Sequence, residues 1–415
     1  MSAKVRPSRA AHALIFLTVA LDALALGLLT PVLPSLLREV SSADASGTAG
    51  YFGAFATLFA AMQFFAAPLQ GALSDRFGRR PILLASNFAL GLDYLIMGLA
   101  PSIWLLFVGR TLSGIASGSG AAAYAYVADV TDPGLRAERF GWLSGAGAIG
   151  LVLGPTLGGL LGSYGLRWPF WLAAGLSLIN GGLCLMLLPE SLARENRARF
   201  DWRQSNPFSA LIWLARGHRG LLGLIGVGVV MSLASQGANG VAVLYTGHRY
   251  GWSVLQIGLA LGALSVIGLI TVVGMVGPAT RLLGDRAVLL GGLAITTSGL
   301  VVGGLAPGGL LFTVSIVGVG VGAICGPVYG GMLSGRVGAD EQGRLQGAWA
   351  SINAIMGLAA PALFTSLFAA AVRPGMAMAL SGAPMLLAAA MLLGAIGLAW
   401  GASRRPIAPA AVAAS

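Results

Sequence analysis

The chain has 415 residues, of which 56% are hydrophobic and only 9% are charged. Soluble proteins carry roughly a quarter charged residues, so this composition excludes an ordinary soluble protein. The net charge of +11 does not indicate a nucleic-acid partner, because the basic residues are spread along the chain rather than gathered on one surface. The 63 glycines are typical of membrane helices that pack closely.

Twelve apolar stretches follow one another along the chain, each near the length of about 20 residues that crosses a bilayer as an α-helix. They lie at residues 12–36, 49–70, 82–100, 103–127, 139–162, 168–188, 220–245, 254–276, 287–306, 310–332, 345–370 and 376–400. We therefore predict an all-α polytopic membrane protein with twelve transmembrane helices.

A short basic loop occurs twice. The first copy, from Gly71 to Leu84, reads GALSDRFGRRPILL, and the second, from Gly277 to Leu290, reads GPATRLLGDRAVLL. A repeat at about half the chain length indicates a duplicated protein, and two similar halves are typical of secondary transporters. We expect two pseudo-symmetric six-helix bundles. The expected parts are an N-terminal bundle at 1–188, a cytoplasmic linker at 189–219, a C-terminal bundle at 220–403 and a cytoplasmic tail at 404–415.

The basic residues predict the orientation in the membrane. If both termini are cytoplasmic, twenty of the 25 lysines and arginines fall in cytoplasmic segments. The outer loops then hold only Arg38, Arg167, Arg249 and Arg373. The positive-inside rule therefore predicts that both termini are cytoplasmic. This placement accounts for the high net charge without an acidic partner.

Three ionisable residues lie inside predicted spans. Asp22 and Asp93 lie about nine and about twelve residues into their spans, which places both near the midplane of a ~30 Å core. A charge there costs at least about 2.5–3.5 kcal/mol, so such residues face a partner or a wet cavity and are functional candidates. Arg110 is the only basic residue inside a span and should lie at the depth of Asp93. We expect Arg110 to neutralise Asp93 or Asp22, and a purely structural ion pair is the alternative.

The fifth span carries a glycine stripe. It reads G-x-x-x-G-P-x-x-G-G and contains Gly150, Gly154, Pro155 and Gly158. Glycines four residues apart lie on one face of a helix and allow close packing, and the proline introduces a potential bend.

Several classes of site have no support. His12, His218 and His248 share no metal-ligand spacing, and no ATP-binding loop with the pattern G-x-x-x-x-G-K-[ST] occurs. Cys184 and Cys325 lie in spans of different halves, where small packing residues are the simplest interpretation. We expect no metal, no cofactor, no disulfide and no enzymatic activity.

At three motifs the chain resembles the major facilitator superfamily, whose spans form two six-helix halves around a central cavity. The loop D-R-x-G-R-R beginning at Asp75 is similar to the signature loop between its second and third helices. The pattern R-x-x-x-G-x-x-x-G from Arg110 to Gly118 resembles the fourth-helix motif linked in the family to proton coupling. The stripe beginning at Gly150 resembles the fifth-helix motif typical of antiporters. The resemblance implies proton coupling through Asp22, Asp93 and Arg110.

Within that superfamily the chain most resembles the tetracycline efflux branch over nearly its whole length. The matching stretches include Thr18 to Ala23, Asp93-Tyr94, Leu188 to Ser191 and Arg344 to Gly347. The resemblance departs in the second half. The tetracycline exporters carry a carboxylate in the ninth helix, where this chain has Ile-Thr-Thr at 295–297, and a histidine in the eighth, where it has Ser-Val-Ile-Gly at 265–268.

Charged residues of both signs lie at predicted cytoplasmic helix ends. They are Asp75, Arg79, Arg80, Asp129 and Arg136. The resemblance implies a charge lock between helices that holds the outward-open state. Anchoring at the membrane surface is the alternative, and the interspersed acids favour the lock.

A proton and a substrate that compete for one polar site produce antiport without covalent chemistry. The cavity requires apolar walls and a few polar groups. The candidates are Gln63, Gln236, Asn239, Tyr245, Trp349 and Asn353. For each of them, packing or cross-bonding between helices is the alternative.

We therefore expect a proton-coupled efflux antiporter that exports a drug or other amphiphilic small molecule. Its expected partners are the substrate, protons and the lipid bilayer. The expected location is the bacterial cytoplasmic (inner) membrane, and the expected state is a monomer. The alternatives are a proton-coupled uptake symporter and a transporter of a lipid-like substrate.

Overall fold

A computed structural model describes residues 9–117, 119–197, 221–338 and 341–402. These residues form sixteen α-helices and contain no β-strand, which confirms the all-α prediction. In chain order the helices are α1 Arg9–Leu29, α2 Leu33–Ser41, α3 Ala45–Phe77, α4 Arg79–Leu99, α5 Ile103–Ala116, α6 Ser119–Val130, α7 Arg136–Tyr164, α8 Trp168–Leu187, α9 Leu222–Tyr250, α10 Val254–Ile270, α11 Val276–Leu283, α12 Asp285–Leu305, α13 Gly309–Gly322, α14 Cys325–Ser334, α15 Gln342–Ala371 and α16 Ala383–Ala402.

Eleven helical segments of the described residues are long and apolar enough to cross a membrane. The remaining predicted span, at 103–127, consists of the two shorter helices α5 and α6. Together they give the twelve spans that the sequence predicts. The chain is therefore a multi-pass membrane protein.

Two other spans are less regular than the sequence predicts. The first was expected as one helix, but α1 ends at Leu29 and α2 begins at Leu33. Pro31 lies in this gap, and a proline removes a backbone N–H and disfavours a helical residue before it. The eighth span contains a π-helical turn at Thr271–Met275 between α10 and α11.

The two basic loops have the same backbone form. In the first, α3 ends at Phe77, Gly78 has a φ of 109°, and α4 follows directly. In the second, α11 ends at Leu283, Gly284 has a φ of 79°, and α12 follows directly. A positive φ of this kind is readily adopted only by glycine. The sequence repeat therefore encodes a repeated helix–glycine–helix turn.

By packing, the chain divides into two compact units. The first unit comprises Met1–Asp44, Ala54–Asn206 and Trp252–Gly262, and the second comprises Ala45–Gly53, Pro207–Gly251 and Ala263–Ser415. In the first, α1 packs on α7 and α4 on α8; in the second, α9 packs on α15 and α16, and α12 on α13 and α16. Most of the linker predicted at 189–219 lies outside the described residues, as does the predicted tail.

The glycine stripe of α7 lies against the backbone of α1. A Cβ atom added at Gly154 would come within 2.6 Å of the Cα atom of Gly27. A Cβ atom at Gly150 would collide with backbone atoms of Ala20 and Leu24. The two backbones are therefore in van der Waals contact, which side chains larger than hydrogen would prevent. This contact fixes the turn of α1 that carries Asp22.

Buried polar side chains join the same helix to two others. The Asn180 side-chain amide in α8 donates hydrogen bonds to Thr18 Oγ1 of α1 and to Asn87 Oδ1 of α4, both at 2.9 Å. All three side chains are at most 1% exposed. Because polar groups in an apolar medium are costly to leave unpaired, this network specifies how α1, α4 and α8 meet.

Two of the four arginines predicted in outer loops donate hydrogen bonds to backbone carbonyl groups at the C-terminal ends of helices. The Arg167 guanidinium donates to the carbonyl oxygens of Gly98 and Ala100 at the end of α4, at 3.0 and 2.9 Å. In the second unit, the Arg249 guanidinium donates to the carbonyl oxygen of Ala306 at the end of α12, at 3.0 Å. Carbonyls at a helix C-terminus have no partner within the helix, and a cation there is favourable.

We expect Gly154→Ala to destabilise the protein. The added methyl group would overlap the backbone of Gly27, and overpacking of this kind costs about 1–3 kcal/mol. The measurement is thermal unfolding of the purified protein in detergent. Gly145→Ala is the matched control, because it lies on the same helix and no atom lies within 4 Å of a Cβ atom placed there. Both substitutions gain the same helix propensity, so equal unfolding midpoints would refute the importance of the contact.

Candidate functional site

The first unit contains a cavity of about 220 Å³ between α1, α3, α4, α5 and α6. Its walls include apolar side chains such as Leu26, Phe59 and Leu90. Its polar lining residues are Asp22, Gln63, Arg110, Ser113, Ser117 and Ser119. An apolar cavity with a few polar groups is the usual form of a small-molecule site. It brings together three of the predicted site residues, namely Asp22, Arg110 and Gln63.

Asp22 is held by a serine that the sequence analysis did not identify. Ser119 Oγ donates a hydrogen bond to Asp22 Oδ2 at 2.5 Å. Ser119 lies at the start of α6. Its place in the run of small residues Ser-Gly-Ser-Gly at 117–120 was the available signal for a polar group here. Gly118, the last glycine of the predicted fourth-helix motif, lies outside the described residues.

Arg110 does not form the expected ion pair within the described residues. Its guanidinium carbon lies 3.8 Å from the ring centroid of Phe59 and 5.0 Å from that of Phe55, both on α3. An arginine over an aromatic face is attracted by the ring quadrupole, and guanidinium is weakly enough hydrated to accept such a site. Within the described residues the guanidinium stacks on two phenylalanines and makes no ion pair with Asp22 or Asp93, but it lies near enough to Asp93 to act on its charge. The neutralisation of an acid by Arg110 therefore stays a prediction.

Asp93 is completely buried beside the cavity rather than in its wall. Its exposed fraction is 0%, and a Cβ atom added at Gly109 of α5 would come within 2.7 Å of its Oδ1. Ser113 and Arg110 are its polar neighbours, yet neither carboxyl oxygen makes a hydrogen bond of standard geometry within the described residues. A buried carboxyl group without such a bond is costly, which is unusual outside functional sites.

The second unit contains a cavity of about 190 Å³. Asn239 is the one predicted cavity residue in its wall, together with the polar residues Ser235 and Thr296. The lining contains no acidic, basic or histidine side chain. The two units therefore carry cavities of similar size and different electrostatic character.

The other four predicted cavity residues bind to neighbouring helices and do not line these two cavities. They are Gln236, Tyr245, Trp349 and Asn353. Gln236 Nε2 donates to Ser232 Oγ at 2.9 Å and to the Asn353 carbonyl oxygen at 3.3 Å, which joins α9 to α15.

Aromatic members of this set have the same kind of role. The Tyr245 hydroxyl donates to the Gly303 carbonyl oxygen at 2.9 Å, and its side chain is 0% exposed. The Trp349 ring packs against that of Tyr329, with centroids 5.2 Å apart. Polar groups between membrane helices pair with each other because lipid offers no alternative partner. In this structure these four residues therefore pack against or hydrogen-bond to neighbouring helices, which is the alternative given for them above.

A charge cluster joins the ends of α3, α4 and α6. Arg79 Nη1 lies 2.5 Å from Asp75 Oδ1, and its Nε lies 3.1 Å from Asp129 Oδ2. Ser191 Oγ, after α8, also donates to Asp129 Oδ2 at 3.0 Å. Three residues of the predicted lock therefore form one connected group in the first unit. An arginine that bridges two carboxylates through separate N–H groups makes strong, directional contacts.

Glu190 is a further member that the sequence analysis did not single out. Its carboxylate accepts hydrogen bonds from the backbone N–H groups of Arg79 at 2.8 Å and Arg80 at 3.3 Å. These are free donors at the start of α4, where a negative charge is stabilising. A Cβ atom at Gly78 would collide with this carboxylate. Gly78 is therefore required both by its backbone angle and by the approach of Glu190.

The two remaining predicted lock residues differ from each other. Arg80 lies next to the cluster, and its Nη2 donates to the Leu185 carbonyl oxygen at 2.6 Å. Arg136 is exposed, and its Nε donates to the Thr131 carbonyl oxygen at 3.4 Å. Arg136 is thus not part of the cluster, because α7 begins after a separate turn at Pro133–Leu135 that carries it away from Asp129.

Within the described residues, no group of three or more His, Cys, Asp and Glu side chains could hold a metal ion. Cys184 and Cys325 are both buried and unpaired with each other. The Thr18 hydroxyl lies 3.8 Å from the Cys184 sulfur, within the buried packing of α1 against α8. This placement agrees with a packing role.

Comparisons of the sequence and of the structure with known proteins agree on one family of transporters. A profile of the Major Facilitator Superfamily matches residues 15–361. The tetracycline resistance protein, class C, of Escherichia coli is 38% identical over 353 residues, which cover 85% of this chain and 88% of the relative. The class G protein of Vibrio anguillarum is 36% identical over 365 residues, which cover 87% and 91%.

The solved structure of the human organic anion transporter MFSD10 has the same fold. Its TM-score is 0.68 at 23% identity, over 94% of this chain and 99% of that chain. The profile match and the two bacterial relatives each extend over most of the sequence. The chain belongs to the major facilitator superfamily.

Proposed function

We propose that this chain is a proton-coupled efflux antiporter. It exports a drug or other amphiphilic small molecule across the bacterial cytoplasmic membrane by alternating access, as a monomer with both termini in the cytoplasm. The observation that carries the proposal is the Asp22 carboxyl group in the wall of a cavity within the membrane spans. Its bacterial relatives are tetracycline resistance proteins, which supports a drug as the substrate class.

Coupling follows from competition at Asp22. A carboxylate in a membrane cavity is unfavourable unless a proton neutralises it or a polar substrate group and water solvate it. Ser119 stabilises the charged form only partly, with one hydrogen bond. Binding of substrate beside Asp22 therefore favours release of its proton, and reprotonation favours release of the substrate. No covalent step is needed.

Arg110 and Asp93 form a second element of the mechanism. With the guanidinium on Phe59 and Phe55, Arg110 forms no ion pair with Asp22 or Asp93 in the part of the chain that the structure describes. A rotation of its side chain toward Asp93 would stabilise that carboxylate and vacate the phenylalanine faces. The protonation of Asp93 and the position of Arg110 are in this way linked, because the buried carboxyl group has Arg110 as its basic neighbour.

The charge cluster at Arg79 sets the balance between conformational states. Asp75, Arg79 and Asp129 are not among the residues that line the cavity, and they lie at the ends of α3, α4 and α6. An interaction that differs between two states changes their populations without changing the affinity of either state for substrate. The cluster is therefore expected to affect the populations of the conformational states, whereas Asp22 is expected to affect proton and substrate binding in the cavity.

The first test is Asp22→Asn, assayed in everted membrane vesicles with an acidic interior. An asparagine retains the shape of aspartate and still accepts a hydrogen bond from Ser119, but it neither gains nor loses a proton in this pH range. We expect drug accumulation driven by the pH gradient to fall to the level of vesicles without the protein. Glu138→Gln is the control, because Glu138 is an exposed acid in the first turn of α7.

Accumulation at the normal rate in Asp22→Asn vesicles would remove Asp22 from the mechanism. The direction of transport is read by comparing everted with right-side-out vesicles. Gradient-driven uptake that occurs only in right-side-out vesicles with an acidic exterior would replace the antiporter with an uptake symporter.

The second test is Asp75→Asn, which removes one of the two carboxylates that contact Arg79. Because the cluster lies away from the cavity, we expect drug affinity to change by less than about twofold while the transport rate falls. Equilibrium binding and initial transport rates measure the two effects. Arg139→Gln is the control, since Arg139 lies over the ring of Trp142 and outside the cluster. Weakened binding at an unchanged transport rate would contradict this role.

A further inference from the structure

The cavity of the second unit is lined by neutral hydrogen-bonding groups and apolar side chains, and its lining contains no charged group. Its volume is about 190 Å³, and apolar side chains such as Leu264, Leu293 and Leu392 form much of its wall. Its hydrogen-bonding side chains are neutral: Ser235, Asn239 and Thr296, with the thiol of Cys325. All of these residues belong to the second unit.

Two of these groups are available for a ligand. Ser235 and Asn239 are exposed, lie four residues apart on α9, and make no hydrogen bond within the described residues. The amide of Asn239 offers two donors and an acceptor. Asn239 also lines an adjoining cavity of about 50 Å³. The neighbouring Gln236, by contrast, has its amide bound to Ser232 and Asn353.

Thr296 supplies an acceptor from the opposite wall. Its hydroxyl donates to the carbonyl oxygen of Gly292, one turn earlier in α12, at 3.0 Å. Its remaining lone pairs are free to accept a hydrogen bond. A Cβ atom added at Gly322 of α13 would collide with this hydroxyl. The close approach of α12 and α13 at a glycine therefore fixes the position of the Thr296 side chain.

The chemistry of these groups selects the ligand. A cation inside a membrane protein needs an anion or many oxygen ligands, and divalent metals such as Mg²⁺ bind through carboxylates. This wall has no carboxylate. A carboxamide, hydroxyl or ketone group, in contrast, can exchange hydrogen bonds with an amide and two hydroxyls while its apolar body contacts the leucines.

We propose that this cavity binds the uncharged, hydrogen-bonding part of the transported molecule, and that it does so without a divalent metal. The proposal rests on the proposed transport function, for which it names the substrate class. Charge compensation takes place at Asp22 in the first unit, and recognition of neutral polar groups takes place at Asn239, Ser235 and Thr296 in the second.

Equilibrium binding to the purified full-length protein in detergent tests this directly. The probes are tetracycline, which chelates Mg²⁺, and chloramphenicol, which is uncharged and carries an amide and hydroxyl groups. Each is titrated calorimetrically with Mg²⁺ and again with a chelator. We expect at least one probe to bind, with affinities in Mg²⁺ and in chelator that agree within about twofold, because no ligand in the cavity requires the metal.

Two conservative substitutions test the assigned residues. Asn239→Leu and Thr296→Val keep the side-chain volumes and remove the polar groups. Each is expected to weaken binding about five- to tenfold, the range for loss of one hydrogen bond to a ligand. Ser298→Ala is the matched control on α12, because Ser298 is exposed, does not line the cavity, and donates only to the Ala294 carbonyl oxygen. Thermal unfolding confirms that each variant is folded.

Three results would overturn the proposal: binding of neither probe, binding that strengthens more than tenfold with Mg²⁺, or equal affinities in Asn239→Leu, Thr296→Val and the control. The experiment uses no pH gradient, so its outcome is separate from that of the vesicle assay. Binding with the expected pattern in a protein that fails to accumulate drug would refute the transport function and leave this site standing.

Discussion

The contact between α1 and α7 determines where the central acid of this protein lies. Helices in a bilayer gain little from hydrophobic burial against each other, so close packing and polar contacts must hold them. Gly150 lies against the backbone from Ala20 to Leu24, and Gly154 lies against Gly27. Asp22 is on the turn of α1 held in this way, opposite the serine that binds it. The glycine stripe of α7 thus lets α1 approach closely, and this close approach places the carboxyl group of Asp22 in the cavity wall.

The two units share an architecture but differ in charge. Both contain a basic helix–glycine–helix turn and an arginine that binds carbonyl groups at a helix end. Within the described residues, both acids in the interior of a span, Asp22 and Asp93, belong to the first unit, and the basic turn of that unit is closed by the carboxylate of Glu190. A duplicated protein can in this way assign proton exchange to one half and recognition of neutral groups to the other. On the account proposed here, efflux requires both cavities but only one set of charges.

The sequence predicted the spans and the repeat, because these depend on length and polarity alone. It did not predict the side-chain partners. Depth along a helix says nothing of rotation about its axis, and rotation decides whether Arg110 meets Asp93 or the ring of Phe59. The contact of Ser119 with Asp22 depends on which way α6 turns its first residue, and the run of small residues around Ser119 does not specify this. Tyr245 resembles a cavity residue in sequence, yet tertiary packing directs its hydroxyl to a backbone carbonyl.

In the proposed mechanism, substrate binding and the protonation of Asp22 are mutually exclusive. Proton release tests this: detergent-purified protein in weakly buffered solution receives tetracycline or chloramphenicol, and the amount of bound drug is determined in the same sample. We expect protons to be released in proportion to the drug bound, and none to be released from Asp22→Asn at equal occupancy. Drug binding without proton release by the unsubstituted protein, or equal release from Asp22→Asn, would contradict it.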